Sequence, residues 1–226
     1  MPVENIQRIE ELVPLRNAIV TVADKTGLDR FAQRLVRVCP QVRFYATGGT
    51  YAVLRESLGA TSAQRVVEMT RYTTQPVTHA GLARTIDFKL YIGLLADPFN
   101  NVHVQDLSSA GAAFFDMVVS NVHSLDELTE EGRADPEAVR LNLDIGGPGM
   151  LRAGVRNYLR VANVVDPQDY ERIADHIEEN GGNTALDLRL ELARKALRLV
   201  ARNDLAMADY LDQLEGDRVR SRYTMA

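Results

Sequence analysis

The chain has 226 residues, 46% hydrophobic and 25% charged, with a formal net charge of −5. That is the make-up of a folded domain with a sizeable core, and it excludes global disorder. No basic run marks a track for a nucleic-acid backbone, and no stretch approaches the roughly 18 apolar residues of a membrane span.

The opening residues, MPVENIQRIEELVPLR, carry acids early and lack the apolar run of a signal peptide. Ile6, Ile9, Leu12 and Val13 fall at helical spacing, which predicts a short amphipathic helix over residues 4–13, ending near Pro14. Residues 1–15 thus read as a helical extension, and 16–226 as one α/β domain. Cys39, the only cysteine, cannot close an intrachain disulfide and suits core packing in a reducing, cytoplasmic setting.

Ala18 to Val22 is an apolar run of strand length. A turn, Ala23-Asp24-Lys25-Thr26-Gly27, follows, and then a helical pattern with Leu28, Phe31, Leu35 and Val38 on one face. In a parallel sheet, ligands gather at the carboxyl ends of strands, where such turns lie, so Lys25 is placed to meet an anion. The next strand, Val42 to Ala46, leads into Thr47, Gly48, Gly49 and Thr50, with a helix from Tyr51 to about Leu58. Two glycines between two threonines can wrap amides and hydroxyls around a phosphate, although a plain turn accounts for a lone TGGT equally well.

Val66 and Val67 suggest a third strand, Met117 to Asn121 another buried one, and Val161 to Val165 the last. Helices are expected over 167–179 and from 184 to about 214, the second with Leu186, Leu190, Ala193, Leu197 and Val200 as its apolar face, before a polar, loose tail from Gly216. Between the last two strands lies NLDIGGPGMLRAGVRN, Asn142 to Asn157. It sets Asp144 directly before Gly146 and Gly147, then a Pro-Gly step, then Arg156 and Asn157. Glycines allow close approach of a backbone to a ligand, and a following helix N-terminus offers unpaired amides. An ordinary glycine turn before a helix has the same letters.

This stretch resembles the IDIGGPSMLRAAAKN signature of the inosine monophosphate cyclohydrolase domain, the N-terminal half of the bifunctional purine-synthesis family called PurH. Asp144, Ile145, Gly146, Gly147, Pro148, Met150, Leu151, Arg152, Ala153 and Asn157 match it in register. Asp24 to Leu28 resembles the family's SVSDKTGL, with Thr21 and Ala23 in place of its serines, and Thr47 to Thr50 is similar to its STGGT. AGLARTIDFK stands where the family has DGRVKTLHPK: Gly81, Thr85 and Lys89 match, Arg84 replaces a lysine, Leu82 an arginine, and Asp87-Phe88 a His-Pro pair. Asn121, Val122 and His123 stand where the family has NLY, so a histidine replaces its site tyrosine, and Arg156 replaces a second lysine. DPQDY and TALDLRLELARKAL resemble the family's DPADY and TLELRRRLAAKAF. The likeness runs from about Ala18 to Leu211.

The resemblance implies a methylglyoxal-synthase-like fold, a mainly parallel sheet flanked by helices with a long C-terminal helix, in a homodimer. It implies ring closure of 5-formamidoimidazole-4-carboxamide ribotide (FAICAR) to inosine monophosphate (IMP) plus water, with no metal or other cofactor. Lys25, Thr21 and Thr47 to Thr50 would hold the 5′-phosphate, and Asp144, Gly146 and Gly147 the carboxamide and base edge, with Thr85, Asn121 and Asn157 lining the site. Arg84, His123, Asp144 and Arg156 would be the catalytic set. Arginine keeps a lysine's charge but is a poor proton shuttle, so proton transfer would fall to His123, whose ordinary pKa lies near about 6.5. Solvated helix positions account for Arg84 and Arg156 as well, and a helix cap for His123. The family's second domain is a formyltransferase, which would here be a separate partner. Loss of the motif arginine at Leu82 suits a different class, a catalytically silent nucleotide-binding protein that regulates or scaffolds that enzyme. Methylglyoxal synthase fits less well, because the matches around Gly146 and Thr85 belong to the cyclohydrolase pattern.

Overall fold

The computed structural model describes residues 6–74, 85–121 and 135–224. Five short strands form a parallel sheet: β2 (Asn17–Val20), β3 (Arg43–Ala46), β4 (Val66–Glu68), β5 (Met117–Val119) and β6 (Ala162–Val164), in the order β4-β3-β2-β5-β6. A two-stranded antiparallel ribbon joins β1 (Leu12–Pro14) to β7 (Asn183–Ala185). The helices are α1 (Leu28–Val38), α2 (Gly48–Leu58), α3 (Ser62–Arg65), α4 (Met69–Thr73), α5 (Phe88–Leu95), α6 (Asn101–Ser109), α7 (Pro136–Asn142), α8 (Gly146–Arg156), α9 (Tyr170–Glu179), α10 (Leu186–Asp212) and α11 (Gly216–Arg220). The fold is therefore the expected α/β class, a parallel sheet flanked by helices with a long helix near the C-terminus.

The strands read as nearly continuous apolar runs because both faces of the sheet are covered, as parallel sheets require. Their period of two still sorts the side chains. Ala18, Val20, Phe44, Met117 and Val119 enter one core with Leu28, Phe31 and Leu35 of α1 and Ile173 of α9. Ile19, Tyr45 and Val118 enter a second core with Leu90 and Leu94 of α5, Met150 and Leu151 of α8, and Ala196 and Val200 of α10. Phe31 stacks on Tyr170 at 4.4 Å between ring centres, which fixes α1 against α9. Cys39 is core filler, its thiol pushed up to about 11 by burial.

Chain order turns back at one place. From β2 the chain builds outward through β3 and β4, then crosses to β5 and β6 on the other side. The carboxyl ends of β2 and β5 consequently flank a switch point, the crevice where open α/β sheets bind ligands.

Two expectations are corrected. The helix over residues 4–13 does not form in the described part: residues 6–10 are irregular and Leu12–Pro14 is a strand. The cause lies far along the chain, in α10. Arg189 donates to the carbonyls of Glu10 and Glu11, the Leu186 amide donates to Glu11 as well, and β1 pairs with β7, so residues 10–14 are held extended by distant partners. The tail from Gly216 is not loose either. It forms α11 and then docks on α7, with Arg222 Nε 3.0 Å from Asp135 and the Tyr223 hydroxyl donating to Glu137. Among the described residues no helix is long and apolar enough to cross a membrane.

Candidate functional site

Past the end of β2 the chain must turn into α1, and Gly27 makes the turn with φ of 70°, in the left-handed region open to glycine. Thr21, half-buried, continues the sheet by donating its amide to Val119 O at 2.9 Å. The turn itself is held by Asn121 from the end of β5. Its Oδ1 accepts from the amides of Ala23 (2.7 Å) and Asp24 (3.0 Å), and its Nδ2 donates to Asp24 O at 2.8 Å. Both ends of that amide are thus spent on scaffold. Thr50 does the same from α2, exchanging bonds with the Val22 amide (3.3 Å) and carbonyl (3.2 Å) while buried.

Those two staples bring Lys25 over the first turn of α2. A Cβ on Gly49 would lie 3.3 Å from Lys25 Cε, so only a glycine lets the lysine stem cross there undisturbed. Lys25 Nζ donates to Ala23 O at 3.1 Å and has no carboxylate partner among the described residues. The TGGT residues are not a loop before the helix, as expected; Gly48, Gly49 and Thr50 form its opening turn. Thr47 precedes it without a side-chain cap. An uncompensated ammonium beside an uncapped helix N-terminus, with the partial positive charge of that terminus, is an anion-binding arrangement.

On the β5 side the glycine pair opens α8. Asp144 caps it, its Oδ1 accepting from the amides of Gly146 (3.0 Å) and Gly147 (3.2 Å). Oδ2 has no hydrogen-bond partner among the described residues, and the side chain is exposed. Neither glycine has room for a methyl group: a Cβ on Gly146 would strike Thr85 Oγ1, and one on Gly147 would strike Asp144 Oδ2 and come within 2.9 Å of Ser120 Oγ. Thr85, Ser120 and Asp144 therefore converge on the pair, and Asn121, next in chain to Ser120, links them to the Lys25 turn.

Two neighbours of this group do not announce themselves in the sequence. Ser120 is 1% exposed and its hydroxyl has no partner among the described residues. Tyr91 of α5 brings its hydroxyl against Gly149, and its pKa is raised by burial first and by the Asp144 carboxylate second. Ser120 extends an apolar run and Tyr91 sits in an apolar helix, so both pass for packing residues in one dimension. A polar atom inside an otherwise apolar strand run was the available signal for Ser120.

The expected residues are not all assembled. Arg156 is exposed at the far end of α8, about 15 Å along the axis from Gly146 at 1.5 Å per residue. Asn157 is buried and donates to Leu94 O at 2.7 Å, closing the C-terminal end of α5. The structure brings neither to the glycine pair. Arg84 and His123, with Leu82 and the helix expected near Leu125, lie outside the described residues.

The comparisons with known proteins agree with this architecture. A family model described as AICARFT/IMPCHase bienzyme matches residues 154–226. The chain is 34% identical over 207 residues to the bifunctional purine biosynthesis protein PurH of Magnetococcus marinus, covering 91% of this chain and 37% of that protein. It is 33% identical over 212 residues to the same protein of Bacillus subtilis, covering 93% of this chain and 40% of the relative. It thus spans well under half the length of these curated relatives. Among solved structures, the crystal structure of ForH superposes with a TM-score of 0.74 at 28% identity, covering 87% of this chain and 99% of that one.

Proposed function

We propose, from the premise that this chain is a PurH-like domain, that it closes the ring of FAICAR to give IMP and water in purine biosynthesis. The carboxamide nitrogen adds to the formyl carbon, and the carbon–oxygen bond then breaks. One hydrogen from the carboxamide nitrogen and one from the formamido nitrogen leave with the formyl oxygen as water. Nucleophile and electrophile belong to one molecule, so much of the barrier is lowered by holding them in a near-attack geometry.

The observation that carries the reading is the pairing across the switch point. An uncompensated Lys25 at the α2 N-terminus suits a phosphate, and Asp144 Oδ2 beside Gly146 and Gly147 suits the N–H groups of a carboxamide. Thr21 and Thr47 to Thr50 line the phosphate side; Thr85 and Asn121 frame the other. Asp144 accepts a hydrogen bond from the attacking nitrogen and holds its proton as the new bond forms. Tyr91, its hydroxyl kept protonated at neutral pH, is a donor for the formyl oxygen. Arg84 and His123 complete the proposed catalytic set, with His123 moving protons. The protein acts in the cytoplasm as a homodimer, on a substrate whose formyl group a formyltransferase supplies.

A second reading, a silent nucleotide-binding protein, is favoured by one observation: Arg156 stands at the wrong end of α8 to meet Asp144. One experiment separates the two. Ring closure followed by absorbance should be accelerated by the wild type and lost in Asp144→Ala, while calorimetry shows IMP binding largely retained. Tight IMP binding by a wild type that gives only the background rate would decide for the silent binder.

A further inference from the structure

Helix α10 carries Arg194, Arg198 and Arg202 at four-residue spacing, which aligns the three along one side. Like charges at that spacing repel. All three are exposed, and none has an ion-pair or hydrogen-bond partner among the described residues, unlike Arg152, which pairs with Asp204. They line a cleft of about 590 Å³ between α10 and the segment that leaves β6 at Val165 and Asp166.

The acids in that cleft do not neutralise them. Asp166 accepts from Lys195 Nζ at 2.7 Å and from the Gln168 amide at 2.9 Å, and Glu191 is held by Arg172 at 2.8 Å. Lys195 is equally committed, with Asp169 as its second partner at 2.7 Å. What remains is a stripe of three uncompensated guanidiniums on one wall. The cleft lies at the carboxyl end of β6, the end of the sheet where ligands sit, and its volume is within the ordinary range for small-molecule sites.

We propose that this cleft binds a small molecule carrying two or more phosphate groups. Guanidinium forks match phosphate oxygens, and successive arginines rise by about 6 Å along the helix, which suits consecutive phosphates better than a single one. The concave shape suits a compact ligand rather than a flat acidic protein surface. β6 is the edge strand, two places from β2, and none of the residues lining the cleft belongs to the Lys25 turn or to α2. The inference does not depend on the ring-closure reading.

Calorimetric titration of the full chain with inorganic tripolyphosphate tests it. A saturable site that persists in Lys25→Ala is expected, weakening as salt is added. Arg198→Glu and Arg202→Glu should each weaken it roughly tenfold or more, as loss of a charge-assisted contact does. Arg198→Gln, which keeps the helix and removes only charge, should weaken it in the same direction, and Lys25→Ala should leave it unchanged. Absence of saturable heat, equal affinity in the three arginine variants, or loss in Lys25→Ala instead would overturn the assignment. Inorganic monophosphate binding as tightly as tripolyphosphate would overturn the multiple-phosphate part.

Discussion

Lys25 owes its setting to three separate parts of the chain. Asn121 fixes the turn that carries it, Thr50 ties that turn to α2, and Gly49 leaves the space its stem crosses. A cation held this way, short of a carboxylate, stays available to a dianionic phosphate. Lys25→Ala should therefore weaken IMP binding by about 1.5–3 kcal/mol, roughly tenfold or more, the range for a hydrogen bond to a charged group. The melting temperature should hardly move, because among the described residues the ammonium donates only to Ala23 O. Calorimetry with IMP measures the first and a thermal melt the second; equal affinities in the two proteins would remove the phosphate assignment.

At the scale of elements, α8 shows how capping and site formation share atoms. Asp144, one residue before the N-cap Ile145, accepts from the first two amides of the helix and is the proposed reacting carboxylate at once, and Gly147 keeps room for it beside Ser120. Gly147→Ala would push Asp144 off the amides it caps, a loss of about 1 kcal/mol, or a melting temperature lower by roughly 2–4 °C for a chain of this size. Ring closure should suffer more than stability, since Oδ2 is displaced as well; a variant with unchanged rate would detach Asp144 from the chemistry. Much of this was legible in one dimension. The parallel strands, α1, α9 and α10 follow from apolar runs and a 3.6-residue period, and the two halves of the crevice from their glycines. What escaped was decided by distant partners: the β1–β7 ribbon depends on residues far apart in sequence, and α5 is apolar nearly all round and shows no clear stripe. Asn157 passed for a site residue because a motif names its letter and not its direction.

At the scale of the molecule, the N-terminal segment is tied to the domain by the β1–β7 ribbon, by Arg160 on Glu10 at 3.2 Å, and by a buried cation of α10. Arg189 is fully buried and has no ion-pair partner among the described residues; it donates to the carbonyls of Glu10, Glu11 and Thr184. Burial pulls its pKa down to about 10. Because that folded value lies below the unfolded one, the cost of burying the charge is present at every pH below about 10 and is relieved only as pH rises through it. Stability at neutral pH then depends on whether three satisfied carbonyls outweigh that cost. Arg189→Met keeps the volume and removes both. If the carbonyls dominate, as the penalty of about 1–3 kcal/mol for an orphaned buried acceptor implies, the variant melts at least roughly 2 °C lower. The loss should also be local: amides of Leu12, Val13 and Leu15 and of Asn183 to Leu186 should gain exchange together, because among the described residues β1 pairs only with β7 and both lean on the same side chain. A variant with raised stability and unchanged exchange in those amides would show that the buried charge is a net burden and that the ribbon holds the segment without it.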